Sequence, residues 1–167
     1  MLKQLTMTAL VTFVALLAMS GLPSPAVAVE EFFAAELKGS SETPVTVSTS
    51  GTGLFAAQLN AAETALSFIV VYSGISSAVN ASHIHLGRPG ITGGVIIPLC
   101  GGAKPACPAS PGSVTGVVTA ADVGAVAAQG IAAGDFAAVI RAMRRGDTYA
   151  NVHSTTYPGG EIRGAIQ

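Results

Sequence analysis

Three histidines occur in the chain: His83 and His85, within Ser82-His83-Ile84-His85, and His153, which closes Asn151-Val152-His153. On a β-strand, residues two apart project from the same face, so His83 and His85 form a natural pair of nitrogen donors. His153 ends another apolar run, where a folded sheet can bring it alongside. Three neutral imidazoles converging on one point suit copper or zinc, and the Irving–Williams order favours copper. No fourth histidine exists to close such a site, which leaves a fourth coordination position open. The competing reading is a buried polar network in which the same imidazoles satisfy backbone groups. Other polar residues sit at matching two-residue spacings: Asn151 with His153, and Glu161 with Arg163. Glu161 is expected to accept the second N–H of a ligating imidazole, and Arg163 to draw an anion or pair with Glu161.

The elements that hold these residues begin after an N-terminal leader. Lys3 gives a short basic start, Ala9 to Met19 forms an apolar run, and Ala26-Val27-Ala28 reads as a small-x-small cleavage signal. The run is too short, and too closely followed by Pro23 and Pro25, to span a membrane. Residues 1–28 are thus read as a signal peptide and 29–167 as one domain, secreted or periplasmic, with no membrane span once the leader is removed. This portion carries seven Lys and Arg against nine Asp and Glu, a formal charge of −2. Nucleic acid is not an expected partner, because Arg141, Arg144 and Arg145 form a local cluster, explained by a helix C-terminus. Export places Cys100 and Cys107 where thiols oxidise, and they bracket a short flexible loop. A disulfide is expected there, since the spacing fits no standard zinc knuckle.

Short strand-like segments recur between turn residues: Phe32 to Leu37, Gly53 to Leu59, Ala65 to Ser73, Ser82 to Leu86, Val95 to Leu99, Val114 to Thr119, Tyr149 to His153 and Glu161 to Ile166. Ala65 to Ser73 is apolar on both faces, which predicts a central strand. One helical interruption is expected. Asp122 is read as an N-cap before an Ala-rich turn, and Asp135 as an N-cap before a helix whose apolar face is Phe136, Val139, Ile140 and Met143. Gly146 stops that helix. This pattern predicts an all-β fold, a Greek-key or immunoglobulin-like β-sandwich or barrel with a short helical insertion. Tyr157-Pro158-Gly159-Gly160 and Gly87-Arg88-Pro89-Gly90 read as turns, and Asn80-Ala81-Ser82 as a glycosylation sequon. No Gly-x-Ser-x-Gly elbow or carboxylate pair supports hydrolysis.

An ordered set of short motifs runs through the domain. They are Phe33-Ala-Ala-Glu-Leu-Lys-Gly with Glu42-Thr-Pro, Gly51-Thr-Gly, Ser82-His-Ile-His, Tyr149-Ala-Asn-Val-His-Ser and Pro158-Gly-Gly-Glu-Ile-Arg-Gly. Together they resemble the CHRD domain, named for its occurrence in chordin and found in many exported bacterial proteins. The resemblance covers about Phe33 to Gln167 and implies a secreted, β-sandwich-like domain. A more distant similarity is to copper/zinc superoxide dismutases, which carry a His-x-His strand, a later Val-His and a C-terminal Gly-x-Arg segment. It implies copper held at His83, His85 and His153, with Arg163 as the anion-steering residue. No further histidine remains for a zinc subsite, so any site holds one metal, and dismutase activity is not expected.

Two functions from different classes follow. The first is an exported, non-enzymatic binding or structural module that engages an extracellular protein or envelope component. The second is a mononuclear metal-binding protein with one copper or zinc ion on the three histidines. The module ranks first because it needs nothing beyond export and fold.

Overall fold

The structure, a computed structural model, describes residues 30–167. The expected signal peptide, residues 1–28, lies outside the described residues. Eight strands follow in chain order: β1 (Glu31–Lys38), β2 (Thr52–Leu59), β3 (Ala65–Ser73), β4 (Val79–Leu86), β5 (Val95–Cys100), β6 (Gly112–Thr119), β7 (Thr148–Ser154) and β8 (Ile162–Ala165). Helix α1 (Phe136–Arg144) lies between β6 and β7. The strands form one antiparallel sheet in the order β5-β4-β7-β8-β1-β2-β3-β6. It curls until β5 and β6 approach one another, so the fold is a nearly closed, barrel-like sheet. Its crossovers are of Greek-key type, β6 returning beside β3 and β7 beside β4.

Alternation explains most of the strands. In β1 every second residue is buried, with Phe33, Ala35 and Leu37 facing inward. In β2, Phe55, Ala57 and Leu59 do the same. In β3, Leu66, Phe68, Val70 and Tyr72 enter the core. The strand is flanked on both sides, as its composition suggested, but its second apolar face is not covered. Ile69 and Val71 remain 39% and 36% exposed on an outer surface that also carries Phe32, Leu54 and Val117. Two apolar faces on a strand report β propensity as well as burial.

Helix α1 plugs the core. Asp135 caps it by accepting a hydrogen bond from the Ala138 amide at 2.9 Å, and Phe136, Val139, Ile140 and Met143 are all buried. Gly146 follows at φ +68°, a conformation that favours glycine. Arg144, in the last turn, bridges Glu31 and Glu63, so cross-element ion pairs add to the dipole argument. Asp122 is not the N-cap expected from sequence. It ends the 3-10 turn Ala120–Asp122, and its carboxylate reaches back to the Thr119 amide at 2.8 Å as the far half of a capping box.

Cys100, at the end of β5, is disulfide-bonded to Cys107 across the loop that leads toward β6. A ring this short gives about 2–2.5 kcal/mol in the chain-entropy account. The Cys100→Ser, Cys107→Ser double variant is expected to lose about that much stability in a urea unfolding curve. An unchanged midpoint would show that the bond does not support the fold.

Candidate metal centre

β4 and β7 lie side by side with regular pairing from Ala81 to Leu86: Ala81 opposite His153, His83 opposite Asn151, His85 opposite Tyr149. Directly paired residues share a face, so His83, His85, Tyr149, Asn151 and His153 all stand on one side of the sheet. Ile84, Ala150 and Val152 take the other side, in the core. The histidines therefore belong to a second, polar interior on the outer face. On its other edge β4 pairs with β5, where the register shifts between Ser82 and His83 and again between Ile84 and His85. His83 there faces Pro98, which has no N–H to offer a ladder. Bulges of this kind re-aim side chains beside functional sites.

One nitrogen from each of His83, His85 and His153 lies within 4.8 Å of the other two, the only such group of potential ligands among the described residues. His83 Nδ1 and His153 Nε2 are 3.2 Å apart. Nitrogens sharing one ion at about 2.0–2.1 Å lie roughly 3–3.5 Å apart, so this pair already has ligand spacing and small ring rotations bring in the third. The outward-turned nitrogens are fixed by backbone. His85 Nδ1–H donates to the Gly93 carbonyl and His153 Nδ1–H to that of Pro158, each at 3.0 Å. Both rings thereby turn an Nε2 lone pair toward the cluster: that of His153 faces His83 Nδ1, whereas His85 Nε2 is buried with no hydrogen-bond partner. Burial, and then the charge each ring would place beside the others, pushes His83 down to about 4. Burial likewise pushes His85 down to about 4 and lowers His153, in both cases against the pull of the carbonyl each ring contacts. All three are neutral at pH 7, as metal ligation requires.

The partners expected around the histidines are arranged differently. Glu161 does not accept an imidazole N–H. It is fully buried one residue before β8 and accepts from Thr49 Oγ1 at 2.6 Å, Ser76 N at 2.8 Å, Ser76 Oγ at 2.9 Å and Ser154 Oγ at 2.5 Å. Burial works to raise its pKa, but the Ser154, Thr49 and Ser76 donors outweigh it and hold the carboxyl below its ordinary value. Nor does Arg163 pair with Glu161. Its guanidinium donates to the carbonyls of Arg88 at 3.1 Å and Ile91 at 2.6 Å and lies 3.4 Å from the Tyr149 ring centroid. Asn151, opposite both His83 and Arg163, makes no side-chain hydrogen bond to a histidine. Its amide donates to Glu42 Oε1 at 2.7 Å and to the Ile162 carbonyl at 3.2 Å.

Two residues were not picked out from sequence. Tyr149 stacks on His85, centroids 4.6 Å apart and planes 8° from parallel. The alternation Tyr149, Asn151, His153 was the available signal. Glu42, noted only within a motif, is 7% exposed, and a Cβ at Gly160 would sit 2.8 Å from its carboxylate oxygens and 2.5 Å from Asn151 Nδ2. That close approach, together with φ +131° at Gly160, is why glycine occupies the turn.

The model of the CHRD domain matches residues 33–166. The chain belongs to the CHRD domain family. No curated protein and no solved structure matches it. The matched span begins in β1 and ends after β8, so the whole sheet and all three histidines lie within this CHRD domain. Among the described residues, no helix is long and apolar enough to cross a membrane.

Burial raises the Glu42 carboxyl to about 7, although the Arg163 charge and the Asn151 amide partly offset it. A carboxyl whose folded pKa exceeds its unfolded value stabilises fully below the unfolded value, and that contribution is lost as pH rises through the folded one. In this CHRD domain the window runs from about pH 4.5 to pH 7. Glu42→Gln is expected to flatten the stability profile across that window and to exceed the parent at pH 8 by about 1–3 kcal/mol. Parallel urea curves at pH 5 and pH 8 check this, and equal pH slopes for the two proteins would refute it.

Proposed function

We propose that the protein is an exported binding module whose ligand is a single copper ion, held by His83, His85 and His153 with one coordination position open. The observation that carries this reading is His85 Nε2, buried without a partner among the three clustered imidazoles. Thr148 Oγ1 and Asn151 Oδ1 are buried without partners as well, but of the three atoms only His85 Nε2 stands in a cluster of potential metal ligands, and leaving it unpaired costs about 1–3 kcal/mol. A metal ion satisfies it. Backbone carbonyls behind His85 and His153 fix tautomer and ring plane, as outer partners do in metal sites. The all-nitrogen, thiolate-free donor set suits copper ahead of zinc in affinity. Similarity of the histidine motifs to the copper-binding segments of the dismutases points the same way. The signal-like N-terminus and the disulfide support action outside the cytoplasm. The module then stores or passes on copper, or presents it to a partner in the envelope.

Metal analysis of protein purified without an affinity tag tests the proposal. Dialysis against copper and washing with a weak chelator are expected to leave one equivalent per chain. The Cu(II) form is expected to show nitrogen hyperfine structure in its electron paramagnetic resonance spectrum. Non-saturating uptake, or a spectrum without nitrogen coupling, would defeat it.

A further inference from the structure

The charges around the three histidines are lopsided. Every donor is a neutral imidazole, and neither backbone carbonyl behind them carries formal charge. The two carboxylates nearest in sequence to His153 are committed elsewhere, Asp147 to Arg88 and Arg145 and Glu161 to Thr49, Ser76 and Ser154. A cation, by contrast, is stacked behind one ligand. Three neighbouring strands contribute one group each: His85 from β4, Tyr149 from β7 and Arg163 from β8. Tyr149 lies flat against His85 at 4.6 Å, and the Arg163 guanidinium sits 3.4 Å from the Tyr149 centroid. Arg163 is 2% exposed, held by two carbonyls, and forms no salt bridge among the described residues. Glu42, the carboxyl that Arg163 attracts, is itself kept partly protonated near neutral pH. The Tyr149 hydroxyl and His85 Nδ1 both address Gly93, so the stack also locks the ring plane of the ligand.

We propose that the Arg163–Tyr149–His85 stack makes the centre selective for Cu(I) over Cu(II), with Arg163 and Tyr149 acting as positioning residues through His85. The inference rests on the copper reading above. A fixed positive charge repels a bound ion in proportion to that ion's charge, so it penalises the divalent state more. Burial strengthens the effect by excluding water. Three neutral donors, without a thiolate or carboxylate, add nothing to compensate the second positive charge. The expected cargo is therefore monovalent copper.

The test measures both affinities on the full exported domain. Cu(I) is titrated anaerobically against a chromophoric chelator, Cu(II) against a competing amino acid, and the couple is read by voltammetry of the copper-loaded protein. The parent is expected to bind Cu(I) more tightly than Cu(II), which places its potential above that of aqueous copper. Arg163→Met is expected to shrink that preference about tenfold, a fall of about 59 mV for one electron. Arg163→Lys should recover most of the shift, and Tyr149→Phe, which keeps the ring, should change it little. If Arg163 is merely a clasp on the 88–91 loop, Arg163→Met weakens both ions equally and leaves the potential unmoved, which overturns the inference. A parent potential below that of aqueous copper also overturns it, whether or not the variant folds. Failure of both ions to bind at one equivalent would remove the copper reading itself, a separate and recognisable outcome.

Discussion

Replacing His83, His85 or His153 singly with alanine is expected to cost at least about 100-fold in copper affinity. Loss of an outer partner in a metal site already costs about 10–100-fold, and loss of a donor should cost more. The three variants should be similar, because each leaves two imidazoles and an incomplete chelate. They should not be similar in stability. His85 and His153 are 8% exposed and hydrogen-bonded to loop carbonyls, so their loss also frees Gly93 and Pro158. His83 is less buried, and among the described residues its ring hydrogen-bonds to His153. His83→Ala is therefore the cleanest variant: affinity collapses while the apo melting temperature stays near the parent. Competition titration of the three variants reads this directly. Parent-like binding in all three would show that the cluster is architecture.

Removing the Glu161 carboxylate is expected to be the most destabilising single change among the polar residues of the domain. Glu161 gathers donors from two connections and a strand end: Thr49 between β1 and β2, Ser76 between β3 and β4, and Ser154 at the end of β7. Glu161→Ala leaves these donors at one end of the barrel without their acceptor, each at about 1–3 kcal/mol before relaxation. A net loss of about 3–4 kcal/mol follows, or roughly 10 °C in melting temperature. Glu161→Gln should recover part of it, since hydroxyls can turn to accept from an amide but the Ser76 N–H cannot. With its folded pKa below the ordinary value, Glu161 stabilises above about pH 4.5 and loses that contribution as pH falls through the folded pKa. The penalty of Glu161→Ala should therefore be smaller in acid. A melting temperature within about 2 °C of the parent at pH 7 would contradict this account.

These residues also mark how far the sequence could be read. Strands, helix α1 with its Asp135 cap, and the Cys100–Cys107 bond follow from local rules that need no knowledge of tertiary contacts. The common face of His83 and His85 follows from strand geometry alone, and β4–β7 pairing adds His153. Glu161 was misread because the two-residue alternation was extended through a position one residue outside the β7–β8 ladder. The actual partners of His85 and His153 are carbonyls of Gly93 and Pro158, and every residue has a carbonyl. No side-chain pattern could have named them. Glu42 reaches Asn151 from 109 positions away, on a loop whose path only the folded sheet defines.

All seven residues of β7 are buried. Thr148, Ala150, Val152 and Ser154 serve one side of the sheet, while Tyr149, Asn151 and His153 serve the other. Most staves of a barrel have an idle side on which mutations can accumulate without consequence, and β6, with Ser113, Thr115 and Val117 exposed, is one of them. β7 has none. A library that randomises each strand in turn should find β6 permissive and β7 almost intolerant. An engineer seeking a tag site, a charge to improve solubility or a new binding loop should build on the β3–β6 side and leave this stave alone.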